Sequence, residues 1–167
     1  MVILGIDPGT ATTGYGLITE DADGNARLLT HGAILTPAHT PMPQRLLAIH
    51  RDLSSLIARW QPDAVAVEEL FFSRNVTTAL TVGQARGVLL LAAAQAGVAI
   101  FEYKPAEVKQ ALVGYGGANK QQMQEMVKIM LGLDAIPRPD DAADAVAIAI
   151  CHLHSARMRN LEDLSAT

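Results

Sequence analysis

The chain of 167 residues has one cysteine and no uninterrupted run of 18 apolar residues. A single cysteine cannot form an intramolecular disulfide, and Cys151 stands inside an apolar run, which favours a buried structural thiol. Without a long apolar run, a membrane-spanning helix is not expected. The opening residues, MVILGIDPG, lack the basic start and the length of a signal peptide. These features predict a soluble, cytoplasmic protein.

Several catalytic signatures are missing as well. The sequence contains no G-x-S-x-G nucleophile motif, no G-x-x-x-x-G-K-[ST] phosphate loop and no G-x-G-x-x-G dinucleotide fingerprint. It also has no internal repeat, low-complexity tract or long linker. Half of the residues are hydrophobic, and the length suits one domain with one sizeable core.

Hydrophobic periodicity predicts an α/β domain with a mixed, five-stranded sheet and helices on both faces. Three strands at 2–6, 12–19 and 27–36 form an antiparallel meander, because the residues between the last two are typical of a turn. Two further strands are expected at 64–67 and 98–101. Helices are expected at 41–60, 76–96, 107–113, 120–131 and from 140 to about 157. We expect one domain over 1–157 and a polar, flexible tail over 158–167.

The helix predicted over 76–96 is apolar over most of its circumference. A helix of this kind is buried on more than one side, either in the core or in a dimer interface. The sequence alone does not decide between these two locations.

Positive charge is scarce and unevenly placed. Lysine occurs four times, and all four lysines lie between residues 104 and 128. The segment 71–130 carries six positive and three negative charges, whereas the rest of the chain carries seven and fourteen. The segment is either an ordinary solvated surface or a basic wall beside an acidic site, which would suit a phosphate backbone bridged by metal.

Three apolar segments each end or begin with acidic residues. Asp7 follows VILGI, Glu68 follows AVAV, and Asp141 and Asp144 open the last helix. Each is explicable alone, as a turn, a strand end or a favourable helix first turn. Carboxylates gathered against apolar surroundings repel one another unless a cation is present. Together they predict a divalent metal site, and a set of oxygen ligands favours Mg²⁺ or Mn²⁺ over zinc.

Spacing assigns some of these acids and leaves others open. Asp141 and Asp144 lie on one helix face, with Cβ atoms about 5–6 Å apart. Asp140 follows a proline and is expected to cap the helix. Glu68 and Glu69 face opposite sides of a strand, and alternation alone does not decide which acid faces the core.

Two histidines follow the acids of the last helix. His152 and His154 lie well beyond Asp144 along this helix. We expect them to face the core or solvent rather than a metal ion.

Five segments in order resemble the RuvC family of Holliday-junction resolvases. They are 5-GIDPGTATTGYGLI-18, 65-VAVEELFFSRN-75, 83-GQARGV-88, 107-EVKQALVGYGGANK-120 and 140-DDAADAVAIAICH-152. The resemblance extends to about residue 154. It implies an RNase H-like fold, a homodimer, and a bacterial endodeoxyribonuclease that makes paired symmetric nicks in four-way DNA junctions during recombination and repair.

The same resemblance implies the cofactor, partners and site residues. It implies two Mg²⁺ ions per site, for which Mn²⁺ could substitute, and a branch-migration complex of the RuvA/RuvB type as a further partner. It selects Glu68 over Glu69, and it makes Asp141 the least uniform of the acids. The implied catalytic residues are Asp7, Glu68, Asp141, Asp144 and Lys120, the four acids also being the metal ligands. The implied DNA contacts are Phe71, Phe72, Arg74, Lys109 and Lys120, although which of the two phenylalanine rings contacts DNA stays open.

Three other functions remain open at this point. The chain could be a junction-binding module without catalysis, although a pure binder has no reason to keep repelling acids near a polyanion. It could be an RNase H-like nuclease that acts on RNA. Finally, Asp-x-Gly-Thr at 7–10 also occurs in phosphotransferases of the actin and sugar-kinase type, but those chains are usually longer and repeat the fold.

Overall fold

The computed structural model describes residues 1–69 and 76–165, without the side chains of 76–78 and 160–165. None of the helices in these ranges is long and apolar enough to cross a membrane. In chain order the elements are β1 (Val2–Asp7), β2 (Thr12–Glu20), β3 (Ala26–Leu35), α1 (Met42–Trp60), β4 (Ala64–Glu68), α2 (Val76–Gln95), β5 (Ala99–Tyr103), α3 (Pro105–Val113), α4 (Lys120–Met130) and α5 (Asp140–Ser165).

The strands form the mixed sheet that was predicted, in the order β3-β2-β1-β4-β5. The first three strands pair antiparallel, and β1, β4 and β5 run parallel. The turn between β2 and β3 is stabilised by Asp21, whose Oδ1 accepts hydrogen bonds from the backbone N–H groups of Asp23 and Asn25. Gly24 adopts a φ of 84° in this turn, a conformation that favours glycine.

Helices cover both faces of the sheet, as expected. Alternating strand residues point to opposite faces. Leu4, Ile6 and Val65 belong to the apolar cluster shared with α1 and α2. Ile3 and Ala66 belong to the cluster shared with α3, α4 and α5.

Helix α5 lies directly on β1 and β2 because glycines face it. A Cβ atom on Gly5 would lie 2.0 Å from the carbonyl oxygen of Ala145, and one on Gly14 would lie 2.0 Å from that of Asp141. Gly14 also pairs with Asp7 across the β1–β2 ladder. The start of α5 is therefore fixed beside the end of β1.

The predicted end of the last helix, near residue 157, was too early. Helix α5 continues to Ser165, because no glycine or proline interrupts the sequence between 140 and 165. Arg157 of α5 donates a hydrogen bond of 2.8 Å from its Nη2 to Oε1 of Glu20, the last residue of β2. Residues 158–165 thus continue the helix, and the flexibility of this segment remains a prediction.

His152 and Cys151 of α5 are both buried. His152 is 2% exposed, and its Nδ1 lies 2.8 Å from the hydroxyl of Tyr103. Burial lowers the pKa of His152 to about 4, so the ring is neutral near pH 7. Burial raises the pKa of Cys151 to about 11. Both residues lie in the core, as expected from the sequence.

Replacing Gly14 with Ala should lower the free energy of unfolding by roughly 2 kcal/mol, since overpacking a core costs about 1–3 kcal/mol. Denaturant unfolding measures this loss. Gly116→Ala is the matched control, because a Cβ at Gly116 meets its nearest atom at 3.7 Å, an ordinary contact. Equal stability of the Gly14→Ala protein and the wild type would show that α5 does not need this close approach.

Candidate active site

A cavity of about 230 Å³ opens between the ends of β1 and β4, the start of α3 and α4, and the first turns of α5. Its lining brings together five of the residues singled out in the sequence: Asp7, Glu68, Lys109, Lys120 and Asp144. The rest of the lining is largely apolar. Acidic and basic side chains from five elements therefore meet in one partly apolar cavity.

Parallel pairing of β1 and β4 places their terminal acids side by side. Ile6 is opposite Val67, so the next residue of each strand, Asp7 or Glu68, lies at the same edge of the sheet. Glu68 shares its face with Ala66, which belongs to the core cluster beneath α5. The structure thus decides the question that alternation left open, and it selects Glu68.

Helix α5 contributes its acids unequally. Asp144 lines the cavity. Asp141 lies one turn earlier and does not appear among the lining residues, but its negative charge raises the pKa of Asp7. Asp141 therefore belongs to the electrostatic surroundings of the cavity, and its predicted role as a ligand stays a prediction.

The acids destabilise one another's charged forms. Burial, followed by the charges of Asp144, Glu68 and Asp141, raises the pKa of Asp7 from 3.8 to about 7, against the opposing effect of Lys120. Burial and the charge of Asp144 likewise raise the pKa of Glu68, although Lys109 lowers it. At Asp7, Lys120 does not offset the combined effect of burial and the neighbouring acids.

Lys120 forms an ion pair with two carboxylates of α5. Its Nζ lies 3.1 Å from Oδ2 of Asp144 and 3.4 Å from Oδ2 of Asp140. Burial raises the pKa of Asp144, while the hydrogen bond from Lys120 and its charge act in the opposite direction. The lysine is therefore paired with Asp144, the acid that α5 contributes to the cavity lining.

The predicted capping role of Asp140 is wrong. Asp140 is the first residue of α5, and the backbone N–H groups of Ala142 and Ala143 donate to the carbonyl oxygen of Pro139. The Asp140 carboxylate instead accepts from Arg138 and pairs with Lys120. The Asp140 carboxylate thus pairs with the Arg138 and Lys120 side chains rather than with the backbone of the first helical turn.

The donor chemistry of the cavity fits a hard divalent cation. Among the side chains that the structure describes, those of 1–69 and 79–159, no three His, Cys, Asp or Glu residues are already arranged around a common metal position. Asp7, Glu68 and Asp144 nevertheless share the cavity, and burial together with the charges of the neighbouring acids raises the pKa of Asp7 to about 7. Carboxylate oxygens gathered in this way are suitable ligands for Mg²⁺.

Some predicted residues cannot be placed, and one contributor was missed. Phe71, Phe72 and Arg74 lie outside the described residues. Sequence reasoning did not single out Gln124, which lies one turn beyond Lys120 on α4, is 7% exposed and lowers the pKa of Asp140. The available signal was its spacing, since residues four apart share a helix face.

The fold and the acidic cavity define an RNase H-like domain. The yeast mitochondrial Holliday junction resolvase has the same fold, with a TM-score of 0.70 over 97% of this chain and 83% of that chain, at only 13% sequence identity.

The chain belongs to the RuvC family. The family model described as crossover junction endodeoxyribonuclease RuvC matches residues 3–152. The RuvC protein of Syntrophomonas wolfei is 58% identical over 167 residues, which cover 100% of this chain and 96% of that protein. The Thermus thermophilus RuvC solved in complex with a Holliday junction substrate has a TM-score of 0.87 and 41% identity, over 95% of this chain and 96% of that chain.

Replacing Asp7 with Asn should stabilise the metal-free protein at pH 8.5 but not at pH 4. Between these pH values the folded chain retains a proton on Asp7 that the unfolded chain has lost, because its pKa is about 7 when folded. The free energy of unfolding therefore falls as the pH rises through this window, and Asn avoids the loss. The gain should reach at most about 4 kcal/mol.

Urea unfolding in EDTA at both pH values measures this effect. Adding Mg²⁺ at pH 8.5 should stabilise the wild type more than the variant, since the variant lacks one carboxylate. An Asp7→Asn protein that is no more stable than the wild type at pH 8.5 would contradict the electrostatic analysis.

Proposed function

We propose that this RuvC-family protein resolves four-way DNA junctions as a homodimer, by paired, symmetric nicks that depend on Mg²⁺. The observation that carries the proposal is the meeting of Asp7, Glu68 and Asp144 with two lysines in one cavity. The carboxylates supply a place for metal, and the lysines supply positive charge for a phosphate. Such a combination suits phosphodiester hydrolysis.

The family and the charge distribution support DNA as the substrate. A structure of the Thermus thermophilus relative holds a Holliday junction. In the present chain, the segment 71–130 carries a net charge of +3 in an otherwise acidic protein. Lys109 and Lys120 belong to this segment and line the cavity. They would attract the scissile phosphate and offset the charge that develops on it.

The four acids would hold the metal in this proposal. Asp7, Glu68, Asp141 and Asp144 would be the ligands of two Mg²⁺ ions. When bound, the ions would supply an activated water and stabilise the departing 3′ oxygen. The products would be a 5′-phosphate and a 3′-hydroxyl, which a ligase can rejoin. Mn²⁺ should substitute for Mg²⁺, because it also favours oxygen ligands.

A homodimer would provide the two like sites that paired cuts require. Helix α2 packs inward through Ala85, Leu89 and Ala93, yet Leu80 and Leu91 on the same helix are 64% and 52% exposed. An apolar helix with exposed leucines is a suitable surface for a second copy of the chain. We assign the dimer interface to α2.

The proposal also extends to the setting of the reaction. A branch-migration complex of the RuvA/RuvB type is the expected partner, and the bacterial cytoplasm is the expected location. The RuvC relatives from Syntrophomonas wolfei and Thermus thermophilus are bacterial.

Asp7→Asn should abolish junction cleavage, with a loss of at least about a thousandfold, while junction binding stays within about twofold. The reason is that the variant loses a metal ligand without losing a cationic DNA contact. Gel-shift binding in EDTA and single-turnover cleavage in Mg²⁺ measure the two properties. Asp134→Asn is the charge-matched control, because Asp134 is exposed and lies outside the cavity lining. Normal cleavage by the Asp7→Asn protein would refute the assigned site.

Leu91→Glu should convert the protein to a monomer at micromolar concentration, because a charge would be buried in the proposed interface. Sedimentation equilibrium measures the mass. Leu35→Glu is the matched control, since Leu35 is 69% exposed on the outer strand β3. A wild type that is monomeric, or a Leu91→Glu protein that remains a dimer, would show that α2 is not the interface.

A further inference from the structure

Two carboxylates on one side of α5 hold the side chain of Lys120. Asp140 and Asp144 are four residues apart and therefore lie on the same face of the helix. The Lys120 ammonium lies 3.4 Å from the first and 3.1 Å from the second. The Lys120 side chain is 53% exposed, and one solvent-exposed ion pair restrains a flexible lysine only weakly. A second carboxylate narrows the positions that the ammonium can occupy.

The two carboxylates differ in their relation to the cavity. Asp144 lines the cavity and is one of the proposed metal ligands, whereas Asp140 is absent from its lining. A carboxylate that coordinates a metal ion has less negative charge to offer a lysine. Asp140 stands outside the cavity lining, so its pairing with Lys120 would not compete with a metal ion bound there.

Arg138 holds Asp140 in a position to pair with the lysine. The Oδ1 atom of Asp140 accepts from Arg138, which leaves Oδ2 directed to Lys120. Each oxygen of the carboxylate therefore has its own cationic partner.

We propose that Asp140 is a positioning residue, which retains the Lys120 ammonium at the cavity when Asp144 turns to a metal ion. The inference rests on the proposed role of Lys120 at the phosphate. Asp140 itself touches neither the metal nor the phosphate, and it acts only through the lysine. Without Asp140, the Lys120 ammonium would either compete with the metal ion for the Asp144 carboxylate or move into solvent.

Two simpler roles for Asp140 give different expectations. An acid in the first turn of a helix stabilises the helix through the dipole, so its loss would lower stability and leave the lysine unaffected. A carboxylate that serves only Arg138 would be matched in effect by Arg138→Gln. The positioning role alone requires that the effect of Asp140 disappear when Lys120 is removed.

A double-mutant cycle tests this requirement. Single-turnover cleavage of a synthetic four-way junction is measured at saturating protein and Mg²⁺ for the wild type, Asp140→Asn, Lys120→Met and the double variant. We expect Asp140→Asn to reduce the rate roughly three- to tenfold, Lys120→Met to reduce it further, and the double variant to match Lys120→Met. Asp140→Glu should recover part of the rate. Asp134→Asn should cleave at the wild-type rate, whereas Arg138→Gln, which retains the Asp140 carboxylate, should lose less of the rate than Asp140→Asn.

The mobility of Lys120 provides a readout that does not depend on cleavage. The chain has four lysines, so ¹³C labelling of lysine gives four Cε signals, and the one missing from Lys120→Met identifies the residue. In Mg²⁺, ¹³C relaxation should show a restrained Lys120 in the wild type and a mobile one in Asp140→Asn. Thermal unfolding of each variant verifies that it is folded.

The variants test the role of Lys120 and the role of Asp140 separately. A Lys120→Met protein that cleaves at the wild-type rate would refute the role of the lysine itself. If Lys120→Met is impaired, three results each overturn the role of Asp140 alone: a normal rate for Asp140→Asn, an unchanged mobility of Lys120, or a double variant slower than Lys120→Met by the full Asp140→Asn factor.

Discussion

The close contact between α5 and the glycines of β1 and β2 is the constraint on which the site depends. Because Gly5 and Gly14 have no side chain, the backbone of α5 approaches the sheet to a distance that even a methyl group would prevent. The acids at the start of α5 are thereby brought to the end of β1, where Asp7 lies. A larger residue at either glycine would separate carboxylates that the proposed chemistry needs together.

That proximity has an energetic cost. Asp7 is buried beside other carboxylates, and its pKa of about 7 reflects the resulting penalty on its charged form. A protein could relieve the penalty by replacing an acid, but it would then lose a ligand for a cation. The acids in this partly apolar cavity destabilise the folded protein, and a bound metal ion would remove that destabilisation. Lys120 offsets only part of this penalty.

Much of the fold could be predicted from the sequence because its strands and helices have distinct hydrophobic periods. The acids could be predicted as a group, since β1 and β4 each end in a carboxylate and parallel strands end at the same edge of a sheet. The end of α5 was misplaced, because nothing in the residues after Arg157 stops a helix. The resemblance selected Glu68, and the structure provides the reason in the face that Glu68 shares with Ala66.

The ion pair between Asp140 and Lys120 could not be predicted from local sequence. The position of Asp140 after a proline indicated a cap, and Lys120 is twenty positions earlier on another helix. Only the packing of α4 against α5 brings the two together. Contacts of this kind depend on tertiary structure, and neither propensity nor spacing contains them.

The most direct test of the central claim is to map the cuts that the wild-type protein makes in a synthetic four-way DNA junction. Linear duplex DNA and an RNA–DNA hybrid serve as control substrates, and each reaction is run in Mg²⁺ and in EDTA. The proposed function predicts paired nicks at symmetric positions, in the junction alone and only with Mg²⁺. Cleavage in EDTA, or cleavage of the hybrid in preference to the junction, would contradict it.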